Sequence, residues 1–401
     1  MSPELALRGG SPIRSTLLPY GRQKIDQEEV DSVIRVLRSE WLTSGPMTEE
    51  FEQAFADFVG IEFAVAVSSG TAALHTAVHA LDICAEEEVI VPAMTFAATA
   101  NCVVFEDAKP VFVDVDPKTL LIDPHRVEEQ ISSRTRAIIA VDYAGQPCDY
   151  AALTKLADQH GLTLLADACH SMGARYKGRT VGSLAELSAF SLHPVKHITT
   201  GEGGLITTAN PTLAEKMRRF RNHGIAQDHR QRAEAGSWFY EMTDLGYNYR
   251  LTDFQSALGI SQLNKLRKWL EIRQRIAGEY DAAFADLPAI TPLHTVQALS
   301  HAHHLYVVQL EPSRLKCDRK EIFAALRAEG IGVNVHYIPV HLHPYYRANF
   351  GTKAGMCPVA EAAYQRILSL PIFPSMSDRD VRDVVEAVKK VVSAYQDSGG
   401  L

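Results

Sequence analysis

The chain predicts an α/β fold, a mostly parallel sheet of seven strands covered by helices, followed by a smaller α+β region. Three observations carry that expectation. From about residue 64, short apolar runs alternate with amphipathic stretches. The spacing between runs leaves room for a helical crossover, the connection that parallel strands require. Past Leu251 the pattern changes to one long helical stretch and then to mixed strand and helix signals.

The apolar runs at 64–68, 89–91, 111–114, 137–141, 163–166, 187–191 and 205–207 are the candidate strands. Helical patterns at 71–81, 95–105, 124–131 and 150–160 lie between several of them. After Leu251 apolar residues keep helical spacing until Pro288, with Thr252 or Asp253 as the N-cap. "HHLYVVQL", a helix at 319–329, "GVNVHY" and a C-terminal helix from about Ser377 follow. The expected division is a large α/β domain with an N-terminal segment at 1–252, an interdomain helix at 253–288, and a small α+β domain at 289–401. Residues 224–242 are polar, charged and glycine-bounded, and read as a surface loop.

Charge narrows the function classes. Acidic residues number 48 against 40 basic ones, a formal charge of −8. A nucleic-acid or membrane-surface protein needs a basic face, and this balance argues against both. No apolar run approaches the roughly 20 residues of a membrane span. The first residues show no apolar core behind a basic start, so no secretory signal is legible. Six cysteines without a C-x-x-C pair read as reduced thiols. A cytoplasmic protein is the expectation.

Three stretches could carry chemistry. Ser68-Ser69-Gly70-Thr71 follows a candidate strand and opens a helix. Free amides at a helix N-terminus, with small side chains, accept a phosphate, although Ser and Thr are also ordinary N-caps. Asp167 ends the apolar run "LTLLAD". A carboxylate there meets a ligand or stands solvated, since open α/β sheets bind ligands at the carboxyl ends of their strands. Lys196 lies beyond the next strand in "SLHPVKHITTGEGG". As ligands, His193 and His197 would need a helix that Pro194 and the glycines oppose, and no Cys or paired carboxylate completes a metal set. A surface lysine is the plain alternative. The remaining reading unites the three: a pyridoxal phosphate site needs a lysine amine, an acid for the pyridine nitrogen and a phosphate cradle. Phe96 would then stack on the ring, or else sit in an ordinary helix-face core.

With these residues in order, the motifs S-G-T-A-A-L, P-A-M-T-F-A-A-T-A-N, D-A-C-H-S, S-L-H-P-V-K, E-G-G, F-R-N-H-G and G-Y-N-Y-R-L resemble the DegT/StrS family of nucleotide-sugar aminotransferases. The resemblance spans nearly the whole chain and implies the pyridoxal-phosphate fold type I, like that of aspartate aminotransferase. "VDYAGQPCD", "HPVKHITTGEGG" and "HHLYVVQL" look most like the branch serving pseudaminic acid biosynthesis, which aminates C4 of a UDP-linked 4-keto-6-deoxy-N-acetylhexosamine. The resemblance implies pyridoxal 5'-phosphate as cofactor, with Lys196 as the lysine that binds its aldehyde and Asp167 as partner of the pyridine nitrogen. It further implies that His170 contacts the ring hydroxyl, Phe96 stacks, and Gly70, Thr71 and Ser191 hold the phosphate. Asn248 matches a phosphate ligand reaching across from a second subunit, hence a homodimer with composite sites. Thr43, Gly45, Tyr337 and His341 are candidates for the sugar pocket. Arg250 is a candidate for an acidic group of donor or substrate, with a plain exposed arginine as the alternative.

Relatives that replace the lysine by histidine remove a hydroxyl instead; here the lysine stands, which favours transamination with L-glutamate as donor. Other classes stay open at this point: another enzyme on the same cofactor, such as a sugar dehydratase or a desulfurase using Cys357, or a cofactor-binding scaffold without turnover.

Overall fold

The computed structural model describes residues 4–227, 232, 236–296 and 299–396. All seven candidate strands are present: β1 (Phe63–Val67), β2 (Glu88–Pro92), β3 (Lys109–Val113), β4 (Thr135–Val141), β5 (Thr163–Asp167), then, past a ribbon of β6 (Arg175–Tyr176) and β7 (Arg179–Thr180), β8 (Leu187–Ser191) and β9 (Gly204–Thr208). They form one seven-stranded sheet in the order β1-β9-β8-β5-β4-β2-β3. Only β9 runs antiparallel to its neighbours; the other pairings are parallel. Strands β2, β8 and β9 are buried along their whole length, as expected of a sheet covered on both faces.

Helices Gly70–Ala80, Pro124–Gln130 and Tyr150–His160 agree with the expected crossovers to within a residue. The pattern read as helix from residue 95 becomes helical only over Ala98–Val104. The reason is local: the Thr95 and Thr99 hydroxyls bond to each other at 2.7 Å, and the Thr99 amide bonds to the Phe96 carbonyl at 3.1 Å. Threonine side chains that engage nearby groups favour a turn over a helix start.

The long helix, Asp253–Phe284, opens on a capping box of Thr252 and Gln255 and is about 48 Å long at 1.5 Å per residue. Its first half packs on helices Gln27–Leu37 and Pro46–Val59. Its second half supplies Ile276, Tyr280 and Phe284 to a second core. There an antiparallel sheet of β10 (Ile290–Pro292), β12 (Tyr306–Leu310) and β13 (Ile367–Leu370) packs with the final helix, Asp378–Tyr395, while β11 (Leu299–Ser300) joins the β6–β7 ribbon. Leu5 and Leu18 are buried in this second core. Glu329 fastens that segment: it accepts the amides of Ala6 and Ile13 and pairs with Lys390 at 2.8 Å. "GVNVHY" forms no strand of a sheet; Asn334 makes an isolated bridge with Ser369. Of the loop at 224–242, residues 228–231 and 233–235 lie outside the described residues; its limbs meet where the Ala226 amide bonds to the Glu241 carbonyl at 3.1 Å. No helix among the described residues is long and apolar enough to cross a membrane.

Candidate active site

Parallel strands end on the same edge, so β1, β5 and β8 deliver their last residues to one side of the sheet. Asp167 ends β5 and is 5% exposed. Its Oδ2 accepts the Thr99 hydroxyl at 2.7 Å and its Oδ1 the Cys169 amide at 3.2 Å. A buried carboxylate needs such donors. Two donors leave free acceptor capacity on a group with about four lone-pair sites.

After β8 the chain turns sharply, with the Lys196 amide bonded to the His193 carbonyl at 2.9 Å. The turn sends the lysine inward, and its Nζ lies 3.4 Å from His304 Nε2. Burial lowers the pKa of the Lys196 ammonium, opposed by the neighbouring Cys169 and Asp167. This is not a solvated surface lysine. His193 is exposed, whereas His197 is buried with its Nε2 3.1 Å from the Ala302 carbonyl, so the two imidazoles do not face a common point.

The turn after β1 supplies the third element. Ser69 caps the helix Gly70–Ala80 by accepting the Ala72 amide at 3.0 Å. The amides of Gly70 and Thr71 find no acceptor among the described residues. A Cβ on Gly70 would stand 2.8 Å from the Ser191 Cβ, so only glycine lets this helix end approach the end of β8. Gly70, the exposed Thr71 and the Ser191 hydroxyl thus share one corner, with small groups and free amides suited to an anion. The cap engages the Ala72 amide and leaves those of Gly70 and Thr71 over.

His170 is 5% exposed, and its Nε2 lies 3.0 Å from the Tyr337 hydroxyl. Burial, reinforced by Lys196, His336 and His197, pushes its pKa far down, so the ring is neutral. Its Nδ1 is buried without a partner. Phe96 is not core: it is 58% exposed, with its ring 5.9 Å from that of Tyr337.

Other candidates sit elsewhere. Thr43, Gly45 and Arg250 line a cavity of about 500 Å³ together with Arg218, Arg219 and Arg221. The Gly45 amide bonds to Asp253 at 2.7 Å, and Arg250 donates to Asn222 at 2.7 Å. Burial and the adjacent Arg221 lower the pKa of Arg250. Asn248 is exposed and pairs through its backbone with Asn222, while the Tyr249 carbonyl next to it accepts the Ser68 amide at 2.8 Å. His341 is fully buried and lies 2.9 Å from Glu361; no described contact joins it to Lys196, Asp167 or His170. Cys357 is buried, and that burial pushes its thiol up to about 12, so the thiol proposed for a desulfurase is unreactive. Thr99 and His304, both in contact with the centre, carry no role in the sequence reading. Their signals are the threonines four apart in "TFAAT" and the histidines crowded before β12 in "HAHHLY".

Known proteins match this chain along most of its length. Spore coat polysaccharide biosynthesis protein SpsC of Bacillus subtilis is 43% identical over 381 residues, 94% of this chain and 98% of that protein. The structure of Helicobacter pylori PseC, an aminotransferase of pseudoaminic acid biosynthesis, superposes with a TM-score of 0.89 at 33% identity, covering 95% of this chain and all of that one (100%). The putative sugar aminotransferase Spr1654 of Streptococcus pneumoniae, in its PMP form, gives a TM-score of 0.89 at 32% identity over 94% of this chain and 99% of that one. A family model matches residues 23–389, and the chain belongs to the DegT/DnrJ/EryC1/StrS aminotransferase family.

Proposed function

We propose that this member of the family is a pyridoxal-phosphate-dependent sugar aminotransferase. It moves the amino group of L-glutamate to the C4 keto carbon of a UDP-linked 4-keto-6-deoxy-N-acetylhexosamine, the pseudaminic acid-type substrate. One observation carries the reading: a lysine with a lowered pKa, a buried carboxylate with spare acceptor capacity and a glycine-opened helix end meet on one sheet edge. The orphaned Nδ1 of His170 adds an unfilled polar contact beside them. These residues fit pyridoxal phosphate: Lys196 for the aldehyde, Asp167 for the ring nitrogen, His170 for the ring hydroxyl, Phe96 for a ring face, and Gly70, Thr71 and Ser191 for the phosphate. When bound, the cofactor supplies an electron sink and carries the amino group from donor to acceptor.

The chain's residues do the rest. Asp167, braced by Thr99, holds a proton at the ring nitrogen through charge. Lys196, with its ammonium disfavoured by burial, takes a proton at Nζ and returns it, as base and then acid. Thr43, Gly45, Tyr337 and His341 are the proposed sugar-side groups. His341 would act together with Glu361, 2.9 Å from its Nε2. The arginines around Arg250 suit the phosphates of a nucleotide.

A homodimer completes the proposed site. Trp238, Met242 and Leu245, just ahead of Asn248, are 86%, 65% and 70% exposed. Apolar residues exposed in one segment suit burial by a second copy, with Asn248 reaching the partner's phosphate corner.

Loading with pyridoxal phosphate, borohydride fixation and peptide mapping should place the label on Lys196; a label elsewhere overturns the reading. Lys196→Ala should lose turnover by about 10²–10⁴-fold or more while remaining folded. Mixing it with Asn248→Ala should return about a quarter of parental activity, from one intact site in each mixed dimer. Absence of recovery counts against shared sites. Assay of UDP- and dTDP-linked keto sugars tests the substrate; preference for a dTDP sugar would replace the nucleotide named here.

A further inference from the structure

His304 has no part in the chemistry above, yet its side chain meets Lys196, Nε2 to Nζ at 3.4 Å. It is 4% exposed, its ring lies 4.4 Å from that of His170, and its Nδ1 has no partner. The backbone holds it there deliberately tight. The Ala302 and Leu305 amides bond to the carbonyls of Gly145 and Ala144 at 2.9 and 3.1 Å. Gly145, at φ +107°, has a Cβ position 2.7 Å from the His170 carbonyl and 3.0 Å from the His304 amide. A side chain at 145 would force apart the two turns that carry the imidazoles.

We propose that His304 is a positioning residue for the reaction: its imidazole is the resting partner of the Lys196 amine whenever that amine is free, holding Nζ at the sheet edge between proton transfers. This rests on the function proposed above. A neutral imidazole suits the task because it serves both states of the lysine. With its proton on Nδ1, Nε2 accepts from an ammonium; with the proton on Nε2, it donates to the lone pair of an amine. A carboxylate at this place would favour the ammonium and remove the base. Burial, with Lys196, His170, His197 and Arg273 nearby, keeps His304 neutral. Around Lys196 itself stand Cys169 and Asp167, with His170, His197 and His336 also within its field.

The test is made on the full chain stripped of cofactor, then reloaded. Trace acetylation with acetic anhydride across a pH series, with mass mapping of Lys196, reports its titration without turnover. His304→Phe should move the midpoint of Lys196 reactivity down by about half a unit to one unit, since the bond accepted from the charged ammonium is worth more than the one donated to the neutral amine, and both are lost. His304→Gln, which keeps a donor and an acceptor, should stay near the parent. After reloading, kcat should fall about tenfold in His304→Phe with KM for the keto sugar unchanged, and largely recover in His304→Gln. His304→Leu serves if the phenylalanine variant does not fold. Overlaid titration profiles of parent and apolar variant, or a glutamine variant shifted as far as the apolar one, overturn the role of His304. A borohydride label away from Lys196 overturns the function itself, so the two failures are distinct.

Discussion

Two aspartates stand at the ends of neighbouring strands and have opposite fates. Asp142 follows β4, Asp167 ends β5, and the Asp142 amide bonds to the Asp167 carbonyl at 3.2 Å. Asp142 is saturated by its own chain. Its carboxylate accepts the Cys148 amide at 2.8 Å, the Ser171 hydroxyl at 2.6 Å and the Tyr150 hydroxyl at 3.0 Å. Burial outweighs these donors and pushes its pKa up to about 6. Asp167 meets the Thr99 hydroxyl and the Cys169 amide, and it lies close enough to Lys196 to bear on the lysine's charge. A strand-end carboxylate is thus a structural staple when its lone pairs are filled and a functional candidate when they are not. Burial alone does not separate them.

Breaking each carboxylate separately is the sharpest way to test that distinction. Asp167→Asn should lower kcat by about 10²–10³-fold with an unchanged melting temperature; a stability loss with intact kcat would make Asp167 a second staple. Asp142→Asn should do the reverse, costing about 1–3 kcal/mol in denaturant unfolding while the folded fraction keeps its kcat. A folded, inactive variant would put Asp142 in the chemistry.

The pH response separates them further. The folded pKa of Asp142, about 6, lies above its ordinary value of 3.8, so between these values the folded chain binds the extra proton. Stability from this group therefore falls as pH rises through that window, by about 1.4 kcal/mol per unit. The stability lead of the parent over Asp142→Asn should be about 1.4 kcal/mol larger at pH 5 than at pH 8. A lead that is flat or grows toward pH 8 contradicts the raised pKa. The smallest effect is expected of Thr99→Val, which removes one brace from Asp167: a loss in kcat of up to about tenfold with little change in KM. No change would mean that the Cys169 amide suffices.

Much of the fold is legible because it is local. The runs at 64–68 through 205–207 announce seven strands by apolar content, and all seven enter the sheet. Thr252 or Asp253 announces a helix start, and Thr252 is the cap that forms; the last helix, expected from about Ser377, is capped by Ser377. Ahead of residue 64 the pattern gives no helix, yet Gln27–Leu37 and Pro46–Val59 are there, with faces that become readable only against the long helix. Likewise β13 is short and needs β12 beside it to count as a strand.

The same division runs through the site. The residues proposed for the centre, Lys196, Asp167 and Gly70, are legible as candidates in the sequence, because each lies at or shortly after the end of a recognisable strand and its chemistry is local to the residue. Which groups meet them was decided only by the tertiary fold. Strand order brings Thr99 to Asp167 across 68 residues, and the docking of the 302–305 turn on Ala144 and Gly145 brings His304 to Lys196 across 108. Periodicity reports on a residue's own element; a contact between distant elements arises from how their apolar faces are buried together, and no local pattern encodes it.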